Sequence, residues 1–191
     1  MRITIGGIGS VLLGDDGVGP FVAGMLESAY CFDESVTVVD LGTPGLDLVA
    51  HLSGIDALIL IDSVKNDAIP GAITLYRKDD ILRHGPAPMR MDPHSPALSE
   101  SLLIAELAGE GPKEILLIGV TGERFEVGAE LSEAARQAAS KAVEQVLLEL
   151  DRLEIPYEPS RKTPFSAWWK PLAEAHLAGD CANAGPVLAI T

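Results

Sequence analysis

The sequence predicts an α/β fold: a three-layer sandwich in which a twisted, mostly parallel five-stranded sheet is flanked by helices. Three observations predict it. Strand-like and helix-like stretches alternate from the first residue to about Glu149, the pattern of a parallel sheet whose crossovers are helices. One strand-like stretch, Ala-Leu-Ile-Leu-Ile-Asp at 57–62, is apolar on both faces, as in the middle of a sheet covered on both sides. The 191 residues, 47% of them hydrophobic, supply the core of one domain at roughly 100–200 residues per domain.

The first strand is read over residues 2–8 and runs into a Gly-rich turn. A helix follows from about Gly19 to Tyr30, with Phe21, Val22, Met25 and Leu26 at helical spacing. Residues 36–40 form the second strand, and Leu46–Leu52 a short helix after the punctuation of Pro44 and Gly45. Ala57–Asp62 is the third strand and Ala72–Tyr76, after the turn Pro70-Gly71, the fourth. Residues 78–96 read as a long loop carrying His84 and His94, before a helix over Ala97–Leu107 and a fifth strand over Glu114–Val120. The last helix spans about Ser132–Leu150. Ser132 suits its N-cap and Glu133 the positive end of its dipole.

Residues 1–150 are thus the domain and 151–191 a tail. Pro156, Pro159, Pro164, Pro171 and the pair Trp168-Trp169 interrupt any long element there. The tail is expected to wrap the domain or to be partly disordered, wrapping being favoured because Trp rings bury apolar area.

Composition removes several functional classes. Acidic residues outnumber basic ones 28 to 14, a formal charge of −14, which repels nucleic acid and anionic membranes. No apolar run approaches the roughly 20 residues of a membrane-spanning helix, and the N-terminus enters a strand without the apolar core of a signal peptide. Cys31 and Cys181 are too few for a disulfide scaffold or a four-cysteine zinc site. Free thiols in a reducing cytoplasm are expected.

In such sheets, sites form at the carboxyl ends of the strands. Three of these ends carry polar residues: Ser10 to Asp16 after the first strand, Asp62-Ser63 after the third, and the loop bearing His94. Gly7-Ile8-Gly9 with Asp40 ending the next strand invites a dinucleotide reading. It fails because a third glycine would fall at position 12, which is Leu, and because Asp15 and Asp16 stand where a pyrophosphate needs bare N–H groups. Singly, Asp16 reads as a cap, Asp62 as a strand-end residue and His94 as a loop histidine. Together they form an O,O,N set suited to a borderline divalent metal such as nickel or zinc.

The order of motifs resembles the hydrogenase maturation proteases. The family's Gly-x-Gly-Asn-x-Leu-x-x-Asp-Asp/Glu-Gly-x-Gly is similar to the stretch from Gly7 to Gly19, with Ser10 in place of Asn. Its Gly-Thr-x-Gly-Leu loop resembles Gly42–Leu46, its strand ending in Asp resembles Leu58–Asp62, and its Ser-x-His segment resembles Asp92–Leu98. Its late Ile-Gly-Val strand with Gly-x-x-Leu-Ser resembles Ile118–Val120 and Gly128–Ser132. Asp92-Pro93 before the histidine, and Thr121-Gly122 where Gln-Pro is common, depart from the pattern.

The resemblance covers about residues 3–150. It implies a phosphorylase/hydrolase-like fold and a small monomeric endopeptidase. Such an enzyme removes the C-terminal extension of a nickel-loaded [NiFe]-hydrogenase large-subunit precursor. The family's metal-contacting residues carry over to Asp16, Asp62 and His94. They would meet nickel held in the substrate, with zinc or cadmium able to substitute in a crystal. No Ser–His–Asp, Cys–His or HExxH arrangement stands in the sequence, so water is the expected nucleophile, with Asp62 as candidate general base. The alternative is a non-catalytic nickel or precursor chaperone on the same fold.

Overall fold

The computed structural model describes residues 1–83 and 95–160. Along the chain lie β1 (Ile3–Ile8), α1 (Val18–Ala29), β2 (Tyr30–Phe32), β3 (Val36–Gly42), α2 (Leu48–Leu52) and β4 (Ala57–Val64). They are followed by β5 (Ile73–Arg77), α3 (Lys78–Arg83), α4 (Ser95–Leu107), β6 (Glu114–Thr121), α5 (Glu133–Arg152) and β7 (Tyr157–Pro159). Single 3₁₀ turns at Gly14–Gly17 and Gly45–Asp47 lead into α1 and α2.

Five strands form one sheet in the order β3-β1-β4-β6-β5. The first four are mutually parallel and β5 is antiparallel to β6. The expected mostly parallel sheet with helices on both faces is therefore present. Its central strands alternate between two cores, as a side-chain period of two demands. Ile59 and Ile61 join Ile3, Ile5 and Ile118 beneath α1 and α5, whereas Leu58 and Leu60 join Leu98, Leu102 and Leu117 beneath α2 and α4. That is why the stretch at 57–62 is apolar throughout.

Ser132 caps α5 as expected, its Oγ accepting the Ala135 N–H at 3.1 Å. The long loop read from residue 78 instead opens with α3. Asp79 and Asp80 sit in the first turn of that helix, and Asp80 Oδ2 accepts the Arg77 N–H at 2.9 Å, so a carboxylate reaches back over a helix start. A short antiparallel pair, β2 with β7, was not legible in the sequence. Three residues are too few to show a period, and the pairing is fixed by Tyr157 meeting Tyr30 edge-on at 5.7 Å. Residues 161–191, with Trp168, Trp169 and Cys181, lie outside the described residues; Cys31 is a free, exposed thiol. Among the described residues no helix is long and apolar enough to cross a membrane.

The amino edge of the sheet is closed by an ionic tie. Glu149 of α5 is buried and receives both Arg77 guanidinium nitrogens, at 2.5 and 2.8 Å. Arg152 adds bonds to Glu149 at 2.8 and 3.1 Å and reaches Glu114 at 2.6 Å. The carboxyl edge carries the loops described next.

Candidate active site

β1 lies between β3 and β4. The connection to β3 crosses the face of α1 and the one to β4 crosses the face of α2, so the loops part beside β1. A crevice at the carboxyl ends of the strands follows from that parting. Asp16 stands in the turn after β1 and Asp62 near the end of β4.

Asp16 is buried, 1% exposed. Its Oδ2 accepts the Ser10 N–H at 2.6 Å, and its Oδ1 accepts the Ser63 hydroxyl at 3.1 Å. The carboxylate therefore takes up an N–H of the Gly-rich loop that a pyrophosphate would need, which physically disposes of the dinucleotide reading. It is the backbone of Ser10, rather than its hydroxyl, that serves Asp16. The loop can turn so tightly because Gly9 has φ +127° and a Cβ there would lie 1.8 Å from the Asp16 carbonyl oxygen. One turn further on, Gly19 lets α1 rest on the sheet, since its Cβ would lie 2.2 Å from the Ile8 carbonyl oxygen.

Asp62 is also buried, 6% exposed. It follows Leu58 and Leu60 in the strand alternation and so turns toward the face of α2 and α4, while Ser63 turns toward Asp16. Ser63 thus ties Asp16 to the end of β4, next to Asp62 in the chain. α4 reaches that edge too, with Ser101 Oγ donating to the Gly45 carbonyl at 3.5 Å. His94, which directly precedes α4, lies outside the described residues. Among the described residues no group of three or more His, Cys, Asp and Glu side chains is placed to hold a metal ion.

Sequence reasoning gave Asp15 no role. The structure makes it the clamp of the site. It is fully buried, and its carboxylate accepts the N–H groups of Glu123, Arg124 and Ser132 at 2.9, 3.0 and 2.6 Å. The loop after β6 is thereby tied to the turn after β1. The same loop is braced from just beyond β4 by Lys65, whose ammonium lies 4.2 Å from the Phe125 ring centroid. The one signal for this clamp in the sequence is the doublet itself: two adjacent carboxylates cannot both face the same partner. Ser63 stands beside Asp62 in the sequence, but nothing local there shows its bond to Asp16, 47 residues away. Asp40, considered for a ribose, instead closes its own turn by accepting the Gly42 N–H at 2.8 Å.

A covered α/β sheet with buried carboxylates at its switch point defines the general class, an α/β enzyme acting at the carboxyl edge. Similar solved structures narrow it to peptidases. The hydrogenase maturating endopeptidase of Escherichia coli superposes with a TM-score of 0.78 and 29% identity, over 83% of this chain and 98% of that one. A [NiFe] hydrogenase maturation protease from Thermococcus kodakarensis gives a TM-score of 0.65 and 25% identity, over 78% and 99%. The family model described as hydrogenase maturation protease matches residues 20–149. The hydrogenase 2 maturation protease of E. coli is 32% identical over 154 residues, 78% of this chain and 91% of the relative. The chain belongs to the hydrogenase maturation protease family and is a peptidase. The matched span takes in Asp62 and His94 and begins just beyond Asp16.

Proposed function

We propose that this protein is the endopeptidase that removes the C-terminal extension of a [NiFe]-hydrogenase large-subunit precursor once nickel is in place, acting as a monomer in the cytoplasm. The observation that carries the reading is the buried Asp16 carboxylate, bonded by Ser63 next to the buried Asp62 at the end of β4, at the switch point of a maturation-protease fold. Both are buried carboxylates held by the ends of neighbouring strands, which is the rigidity a metal check requires. Each Asp16 oxygen accepts one hydrogen bond and retains a lone pair for a cation.

Nickel here is part of the substrate, arriving on the precursor. Asp16, Asp62 and His94 supply the O,O,N donors that recognise it. That contact fixes the peptide beside the site, a proximity effect. Substrate-borne nickel polarises a carbonyl or acidifies a water; in the alternative, Asp62 takes the proton of the attacking water. Ser63 orients Asp16, and its buried hydroxyl is committed to that task rather than to nucleophilic attack.

The test is mass spectrometry of nickel-loaded and nickel-free precursor after incubation with the protein. Loss of a C-terminal peptide only from the nickel-loaded sample is expected. An unchanged mass in both would leave a binding protein on this fold, and equal cleavage of both would remove the metal check. Asp16→Ala and His94→Ala are expected to lose processing while keeping their circular dichroism. Full processing by either would overturn its assignment.

A further inference from the structure

We propose that the outer edge of β3 is the track for the peptide to be cut, which lies on it as an added strand leading to Asp16. The inference rests on the endopeptidase reading and specifies how that site holds its substrate.

The ladder itself shows which groups are on offer. Ile3 is the Cα partner of Val36, and its N–H donates to the Ser35 carbonyl at 2.9 Å. In a parallel pair, the residue opposite such a donor turns its own N–H and C=O away from the neighbour. With Ile5 opposite Val38 and Gly7 opposite Asp40, Val36, Val38 and Asp40 all face outward. The Val36 N–H bends back onto the Asp33 carbonyl at 2.9 Å, which leaves Val38 and Asp40 to present the edge. β3 ends the sheet, and among the described residues no strand pairs with its outer side. Edges of this kind capture extended peptides through main-chain hydrogen bonds.

Two hollows flank this edge and give it direction. One, of about 360 Å³, lies at the start of β3 between Glu27, Phe32 and Val38. The other, of about 250 Å³, lies at its carboxyl end between Leu12, Asp40 and Thr43 and is walled by Ser10. The Ser10 N–H is the one that holds Asp16, so a strand following β3 arrives at the candidate site. The opposite edge, β5, has β6 and β4 between it and β1 and offers no such path. Chemistry selects the occupant as well. Each hollow carries one acidic side chain, Glu27 or Asp40, on a chain of net charge −14. The segment that fits is an extended stretch of the precursor with Lys or Arg among its side chains.

The experiment uses the full-length protein and the nickel-loaded precursor it processes. Val38→Pro deletes an outward N–H that β1 does not use, a change that edge strands tolerate. It is expected to raise KM about tenfold with kcat within a factor of about two, the pattern of lost uniform binding. Glu27→Lys, a surface change remote from the carboxylates, is expected to raise KM several-fold at low salt, with the effect shrinking as salt rises. Hydrogen exchange across residues 36–42 should slow when precursor is added. Failure of the wild-type protein to cleave would count against the endopeptidase reading. Cleavage by wild type with unchanged KM in both variants and no slowing over 36–42 would overturn the track while leaving that reading intact. Should Val38→Pro fail to fold, Glu27→Lys and the exchange measurement decide alone.

Discussion

Asp15 and Asp16 are adjacent, buried and chemically identical, yet they do different work. Asp15 points at three backbone N–H groups of the loop after β6, whereas Asp16 points at Ser10 and Ser63. Asp15→Asn replaces an acceptor-only carboxylate with an amide whose NH₂ faces N–H donors. Hydrogen bonds to a charged group contribute about 1.5–3 kcal/mol, so a loss of about 2 kcal/mol and a Tm lower by roughly 4–8 °C are expected. Thermal unfolding checks this, and a variant as stable as wild type would refute the clamp. At Gly9, alanine would set a Cβ 1.8 Å from the Asp16 carbonyl oxygen at φ +127°. Gly9→Ala is expected to lower both Tm and processing, because the turn that aims Asp16 cannot close. The positions of Asp16 and Asp62 were legible from motif order. The partners of Asp16 and Asp15 were not, because Ser63 lies 47 residues from Asp16 and Ser132 lies 117 from Asp15.

Elements are joined at the amino edge by the tie of β5 to α5. Burial pushes the Glu149 carboxyl up, but the bonds from Arg152 and Arg77 and their charges outweigh it and hold it below the usual 4.5. A depressed folded value means stability that is present above the unfolded value near 4.5 and is lost as pH falls through the folded one. Both arginines are nearly half exposed, 44% and 45%. The cost of Glu149→Gln at neutral pH is therefore about 2 kcal/mol, below the 3–5 kcal/mol of a fully buried broken pair. Urea unfolding of wild type and variant from pH 7 to pH 3 should show the gap close on acidification. A gap that widens would reverse the sign. The tie was invisible in sequence, since Arg77 and Glu149 are 72 residues apart. α3 was missed for a simpler reason: His84 and the prolines beyond it made the whole stretch look like a loop.

For the molecule as a whole, β4 belongs to both cores at once. Ile61 faces one and Leu60 the other, and both are fully buried. Ile61→Ala and Leu60→Ala should each cost about 2–5 kcal/mol. Both should leave a single unfolding transition, because the strand couples the two layers. Two separated transitions in either variant would show that the layers unfold independently.

The sequence by itself determined the α/β class, the central strand and the Ser132 cap, and it named Asp16, Asp62 and His94 as candidates, because periodicity, caps and motif order are local or ordered along the chain. Only the tertiary structure decided that β5 runs antiparallel, that β2 pairs with β7, that Asp15 clamps a distant loop and that the outer edge of β3 opens toward Asp16. Those are decisions about which distant backbone groups satisfy one another, and they depend on contacts made only when the sheet assembles.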